Sequence, residues 1–287
     1  MMARLYVFLQ FILPRYWLTS IIYHLARIRQ TTVKDFLISR FVRLYDVDIT
    51  EIALDVPRDF ATFNDFFIRE LKASARPIDS TINALVSPVD GTVSLAGQLH
   101  SDTIMQAKGR DYTLNDLLAT DLDDAQAYTD GSFATFYLAP HNYHRVHAPF
   151  AGELVAARYV PGDLFSVNTA TAAMVRGLFR RNERLILHFA TSHGPAVLIF
   201  VGALNVGSIA TPWSGEIRPR KSGTVEVIDL SHFQTAVDRG DLLGWFNMGS
   251  TVIVLLPADT CAWRNDLVHG ATVRMGEAIA ELSSRTT

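Results

Sequence analysis

Residues 184–202 read RLILHFATSHGPAVLIFVG. Two apolar runs, LILHFA and AVLIFV, flank the turn-forming cluster Ser192-His193-Gly194-Pro195. Each run is short and rich in Leu, Ile, Val and Phe, which suits a buried strand better than a helix. No Asp, Glu, Lys or Arg occurs from Leu185 to Gly215. The turn cluster, together with Gly202, Asn205 and Gly207, still breaks this segment well short of the ~20 residues that a membrane-spanning helix needs. Working outward, similar short runs recur between Gly, Pro, Asn and Asp: GTVSLAG (91–97), SFATFYLA (132–139), GELVAARYV (152–160), GTVEVIDL (223–230), STVIVLL (250–256) and ATVRMGEAIAEL (271–282). Such spacing predicts an antiparallel sandwich or barrel. Two helical insertions interrupt it. One starts at the capping-box-like TLND from Thr113, and the other is TATAAMVRGLF, capped by Asn168 or Thr169.

The composition is that of a folded protein, with 49% hydrophobic and 19% charged residues in 287. A net charge of −3 argues against a general nucleic-acid binder. The single cysteine, Cys261, excludes an intramolecular disulfide and a Cys-based zinc site and is compatible with a reducing compartment. The charge is unevenly spread. Residues 1–45 hold seven basic side chains and one acid, whereas the rest of the chain is acidic.

This basic front end is also apolar. Arg4 and Arg15 bracket ten uncharged residues, and Pro14 and Arg15 prevent a continuous span. LYVFLQFIL after Arg4 looks like a signal peptide core, but no small-x-small cleavage site follows Leu13. Trp17, Ile21, Leu25 and Ile28 share one helical face, and Val33, Phe36, Leu37, Phe41 and Leu44 repeat the pattern. Two readings fit: helices lying in an anionic membrane interface, or helices packed on the protein's own core. The expected fold class is α+β. Amphipathic helices occupy residues 1–60, and a mainly antiparallel β sandwich or barrel-like catalytic domain occupies 61–287, with no low-complexity linker between them.

Three segments gather polar residues suited to chemistry. SPVDGT places Asp90 before Gly91, ordinarily a turn. YLAPHNYHRVHAPFAG carries His141, His144 and His147 at three-residue spacing. These histidines allow three readings: metal ligands, acid–base groups near neutrality, or structural side chains. No HExxH or completing carboxylate set accompanies them. FNMGSTVIVLL places Gly249-Ser250 at the head of an apolar strand. Met248 and Val252 stand where a nucleophile elbow needs glycines, which excludes the α/β-hydrolase motif.

Together these segments resemble the bacterial-type phosphatidylserine decarboxylase family. The resemblance runs through FNDFFIRELKASARPID, SPVDGTV, IMQAKGRDYTLNDLLA, YLAPHNYHRVHAPFAGEL, YVPGDLFSVN, RNERLILHF, FVGALNVGSI and the Gly-Ser-Thr strand, over residues 60–276. The front end is similar to that family's membrane-binding region. One departure is Met248, where the family has Leu or Gly; Met is close to Leu in size.

The resemblance implies a self-cleaving proenzyme without a metal. Ser250 attacks the Gly249 carbonyl, and the chain parts into a β chain (1–249) and an α chain (250–287) that begins with a pyruvoyl cofactor made from Ser250. That group forms a Schiff base with phosphatidylserine, and loss of CO2 gives phosphatidylethanolamine. His147 is the expected base and Asp90 its orienting carboxylate, as in a serine-protease triad. His144 is expected to transfer the proton in decarboxylation. Tyr137, His141, Phe165 and Ser166 are expected to line the substrate site. Arg145 is the nearest cation for the lipid phosphate, unless it serves a structural ion pair. The implied location is the cytoplasmic face of the cell membrane, as a peripheral protein on an anionic surface; a homodimer is compatible with all of this. On the residues alone, an intact-chain serine hydrolase and a lipid-binding protein with Gly249-Ser250 as a turn also stay open.

Overall fold

The strand Ser250–Leu256 runs through the centre of the molecule, and all seven of its residues are buried. In the computed structural model, which describes residues 2–106, 110–119, 125–205 and 207–283, it pairs antiparallel with a neighbour on each edge. Ser132–Leu138 lies on one side, with Ser250 opposite Leu138 and Leu256 opposite Ser132. Gly194–Val201 lies on the other. The 184–202 segment forms the expected hairpin, with Arg184–Thr191 against Gly194–Val201 and Thr191 facing Gly194 at the turn. Gly194 sits at φ 117°, a conformation that favours glycine.

These strands belong to a sheet of nine among the described residues. It continues from Arg184–Thr191 to Gly152–Val160, whose outer edge carries Glu226–Val227 and Ala236–Val237. From Ser132–Leu138 it continues to Gly91–Gln98 and Thr272–Val273. A second sheet joins Gly215–Ile217, Ile209–Thr211, Leu242–Phe246 and Arg145–His147. The chain leaves that sheet at Phe246 and enters the large sheet at Ser250, so residues 247–249 bridge the two. A third sheet joins Ala84–Val86, Ala278–Leu282 and Cys261–Trp263. Leu, Ile, Val and Phe side chains between the sheets form the main core. The α+β architecture with mainly antiparallel sheets is therefore as the strand pattern predicts.

Some local expectations change. TATAAMVRGLF forms two short helices, Thr169–Ala172 and Leu178–Arg181, because Gly177 adopts φ 60° between them. Asn168 is the cap, accepting from the Thr171 N–H at 2.9 Å. Thr113 caps Leu114–Leu118 through the Asp116 N–H, as TLND suggests. ATVRMGEAIAEL divides between two sheets at Gly276, which has φ 86°. Residues 107–109 of the IMQAKG motif lie outside the described residues.

The front end comprises α1 (Met2–Ile12), α2 (Arg15–Ala26) and α3 (Thr31–Tyr45). Among the described residues no single helix is long and apolar enough to cross a membrane; the Arg4–Ile12 and Arg15–Ala26 segments meet at 94°. α1 and α2 turn several polar groups inward. Gln10 and Thr19 are buried, and Tyr16, Tyr23 and Arg27 hydrogen-bond to the body at Gly162 and Glu216. Large apolar side chains point outward instead: Ile12 is 66% exposed, Trp17 64% and Phe36 66%. The expected second stripe splits. Phe36 and Leu44 face out, while Leu37 and Phe41 pack on a small core of Ala26, Ile38, Phe60, Phe63, Phe66 and Phe67. This core holds α4 (Phe63–Phe67) against α3, so it draws on both sides of residue 60.

Candidate active site

The site is built where the chain bridges two sheets. Ser250 opens its strand fully buried, and its Oγ has no hydrogen-bond partner among the described residues. The neighbouring Thr251 Oγ1 is likewise unpartnered. Buried polar atoms without partners carry a desolvation penalty, so their clustering points to function.

The segment after Ser132–Leu138 supplies the imidazoles. Asn142 folds back on the strand end: its side chain accepts from the Ala139 N–H at 2.7 Å and its own N–H donates to the Ala139 carbonyl at 2.9 Å. Arg69, itself buried, donates to the His141 and Asn142 carbonyls at 2.7 and 3.2 Å and fixes this turn. The Asn142 carbonyl in turn accepts from His144 Nδ1 at 2.8 Å, which leaves His144 Nε2 as a bare lone pair. His144 is completely buried against the Phe67 ring, with 4.2 Å between ring centroids. Burial, aided by the Arg69 charge, pushes its pKa down to about 3, so the ring is neutral at physiological pH. Its Nε2 lies 3.7 Å from the position a Cβ on Gly249 would take.

Gly249 lies outside the glycines with positive φ, and that Cβ position meets only ordinary contacts, at 3.6 and 3.7 Å. Neither strained backbone nor crowding demands a glycine here.

His147 is bonded differently. Its Nδ1 donates to the Gly240 carbonyl at 2.7 Å, and its Nε2 faces the Tyr143 hydroxyl at 3.0 Å. Burial lowers its pKa. The Asp90 carboxylate receives Arg76 Nε and Nη2 at 2.8 and 2.5 Å and the Met275 N–H at 2.9 Å. Asp90 and His147 thus have separate hydrogen-bond partners, and the expected bond from His147 to an orienting Asp90 carboxylate is not made: the Gly240 carbonyl takes its place. The three histidines diverge, and no group of His, Cys, Asp or Glu among the described residues is placed to hold a metal ion.

A cavity of about 360 Å³ opens beside Gly249. Tyr137 and Ser166 line it, with Asn168 and Asn205 as further polar walls. The front end closes the other side through Tyr6, Phe41 and Tyr45. Phe165 lies beneath this region, fully buried between Phe11 and Arg15. His141 is exposed and offers its carbonyl to Arg69. Arg145 pairs with Glu70 at 3.0 Å and donates to the Ile68 carbonyl, the structural alternative raised for it above.

A family model described as phosphatidylserine decarboxylase matches residues 63–281. The chain belongs to the phosphatidylserine decarboxylase family. A second family model, described as PSD, matches residues 5–46 in the helical front end. Among curated relatives, a protein of Saccharophagus degradans named phosphatidylserine decarboxylase proenzyme is 42% identical over 98% of both chains. Proteins of the same name from Psychrobacter arcticus and Methylococcus capsulatus are 46% and 44% identical over 95% of this chain.

Sequence reasoning within this decarboxylase family missed several residues that shape the site. Arg69 and Arg76 both lie in the FNDFFIRELKASARPID motif, but nothing in its spacing distinguishes them from surface arginines. Tyr143 was legible only as part of the YHRVH run. Gln10, a polar residue inside an apolar helix, carried the clearest signal, because such a residue is expected to face a partner.

Proposed function

We propose that this chain is the proenzyme of a pyruvoyl-dependent phosphatidylserine decarboxylase that cuts itself between Gly249 and Ser250. The observation that carries this reading is the buried, unpartnered Ser250 hydroxyl next to Gly249, which lines a cavity, in a chain that matches proenzymes over nearly its full length. Ser250 Oγ attacks the Gly249 carbonyl carbon, and the peptide nitrogen leaves that carbon, giving an ester. Loss of the Ser250 α-proton then breaks the ester C–O bond. The Gly249 carboxylate departs, and water replaces the freed nitrogen, which leaves as ammonia.

The residues fit the pyruvoyl group that results. It would stand at the head of the central strand, beside the neutral His144 Nε2 and the cavity. Its ketone would supply an electron sink for the decarboxylation of an amine substrate. Every other task falls to side chains. His147 takes the Ser250 proton during cleavage, with the Tyr143 hydroxyl relaying it or moving aside. Asp90 supports this step by fixing the surrounding turn through Arg76 and Met275. His144 delivers the proton to the substrate carbon after CO2 loss, drawing it from the cavity side. Tyr137, Ser166, Asn168 and Asn205 orient the headgroup.

The front end suits a peripheral protein on the cytoplasmic face of the cell membrane. α1 and α2 bind the body partly through polar side chains, the front end turns large apolar ones such as Trp17 and Phe36 outward, and its basic residues favour anionic lipid.

A denaturing gel with intact mass tests the reading. Purified protein should resolve into chains of 249 and 38 residues, the smaller lacking a free amino terminus. Ser250→Ala should stay whole and release no CO2 from phosphatidylserine. A single intact chain with full decarboxylase activity would refute the mechanism. Labelling of an intact chain at Ser250 by a fluorophosphonate would favour a hydrolase.

A further inference from the structure

The chain ahead of the proposed cut is anchored through the side chain of Asn247. This residue follows the strand Leu242–Phe246 and stands two residues before Gly249. It is 3% exposed, and its amide is satisfied at both ends. Oδ1 accepts from Asn64 Nδ2 at 3.0 Å, while Nδ2 donates to Ser208 Oγ at 2.6 Å and to Glu216 Oε1 at 3.4 Å. The Asn247 backbone N–H donates to the Ser208 carbonyl at 3.0 Å. Glu216 is held in turn from α2, by Arg27 at 2.7 Å and by the Tyr23 hydroxyl at 3.1 Å. Asn64 lies on α4, which also sets the Phe67 ring against His144. A carboxylate paired with Arg27 only accepts, so the Nδ2 hydrogens turn toward Glu216 and Ser208, and Oδ1 is left for Asn64. The amide is thereby fixed in one orientation.

The next two residues are held differently. Among the described residues, no loop or turn hydrogen bond of the backbone involves Met248 or Gly249. Both line the cavity of about 360 Å³, and Met248 rests on the small core of Phe63, Phe66 and Phe67. In the uncut chain they are fixed from two sides, by Asn247 and by the strand that Ser250 opens. A cut between Gly249 and Ser250 removes the second hold. The end then regains conformational freedom unless its last fixed point is close.

We propose that Asn247 is a positioning residue that keeps the new carboxy-terminal end of the β chain, Met248-Gly249, docked as a wall of the substrate cavity after the cut. This rests on the self-cleavage reading above and adds to it a role for the chain end that the cut creates. The Asn247 amide ties that end to three separate parts of the body: α4, the segment at Ser208 and the strand of Glu216. A loose end would remove two walls of the cavity and bring the free Gly249 carboxylate into the space meant for the headgroup.

Carboxypeptidase digestion of the cleaved enzyme, read by the intact mass of the β chain, tests the anchor. Folded wild-type protein should keep Met248 and Gly249, whereas the same chain unfolded in urea should lose them. Asn247→Ala should speed trimming of the folded enzyme about tenfold through the loss of its side-chain hydrogen bonds. Ser208→Ala removes one of those bonds with little change in volume and should speed trimming about threefold. In both variants KM for phosphatidylserine should rise by a similar factor while kcat falls less, because the central strand keeps its pairing on both edges. Trimming at the wild-type rate in the cleaved variants overturns the proposal, whatever happens to the thermal midpoint. Ready loss of Met248 and Gly249 from folded wild-type protein overturns it as well. If Asn247→Ala does not fold or cut, Ser208→Ala decides. A wild-type chain that never cuts overturns the self-cleavage reading itself, and this is seen before any variant is made.

Discussion

Arg76 holds Asp90 with two parallel hydrogen bonds, Nε to Oδ1 at 2.8 Å and Nη2 to Oδ2 at 2.5 Å. Both side chains are more than nine-tenths buried. The same carboxylate takes the N–H of Met275, which lies beyond the proposed cut. Arg76 also reaches Glu51, which pairs in turn with Arg274. Replacing Arg76 by Ala strands a buried carboxylate, at a cost of about 3–5 kcal/mol. The expected result is a lower urea midpoint and accumulation of uncut chain on a gel. Arg76→Lys keeps the charge but loses the fork, so it should fall between the two.

The two buried histidines should separate on assay. His144→Ala is expected to yield cut chains whose CO2 release falls by about 10²–10⁴-fold, the usual worth of a positioned proton donor. His147→Ala should slow the cutting itself, read as uncut chain over time. Tyr143→Phe should resemble a mild His147 variant if its hydroxyl relays the proton. Equal behaviour of the His144 and His147 variants in both assays would remove the division of roles.

Gly249→Ala should fold. A methyl there meets only contacts of 3.6 and 3.7 Å, so the thermal midpoint should stay close to wild type. Cutting should nonetheless slow, because the methyl flanks the carbonyl that Ser250 attacks. A large drop in midpoint would show that glycine serves the backbone after all.

Stability should carry two opposed pH dependences. His144 has a pKa of about 3 in the fold against an ordinary 6.5, mainly through burial. The unfolded chain therefore binds the proton first, and this contribution is complete above pH 6.5 and lost as pH falls toward 3. Glu183 runs the other way. Burial raises its carboxyl from 4.5 to about 7, beside the Tyr159 hydroxyl that donates to it at 2.6 Å. Its contribution is complete below pH 4.5 and is lost as pH rises through 7. Urea midpoints across this range should lose the acid-side slope in His144→Phe and the slope between pH 4.5 and 7 in Glu183→Gln.

Gln10 ties the front end to the wall of the site. It is 1% exposed on α1, accepts from the Ser166 N–H at 2.8 Å and donates to Thr171 Oγ1 at 3.2 Å. Gln10→Ala should cost about 1–3 kcal/mol through unpaired groups and raise KM more than it lowers kcat. Gln10→Glu keeps the acceptor for Ser166 and should recover most of the KM change.

What the sequence made legible follows from how local each signal is. The 184–202 hairpin is written in adjacent residues, and so are the caps at Thr113 and Asn168. Ser250 was legible through its motif, and its central burial follows from the apolar run behind it. The grip of Arg76 on Asp90 joins residues fourteen apart and was not legible, because charge alone does not choose among the available arginines. The split of Phe36 from Phe41 depends on which face the core of Phe63, Phe66 and Phe67 claims. Helical periodicity cannot tell that face from one turned toward lipid.

The strand that Ser250 opens is paired on both edges, to Ser132–Leu138 and to Gly194–Val201. In the proposed reading the reactive ketone is therefore welded into the middle of the scaffold. It cannot be shed, exchanged or topped up from a soluble pool without tearing the largest sheet apart. Each polypeptide has a single serine to convert, and the conversion runs once. A ketone lost to a side reaction ends the working life of that molecule, and only a newly synthesised chain restores it.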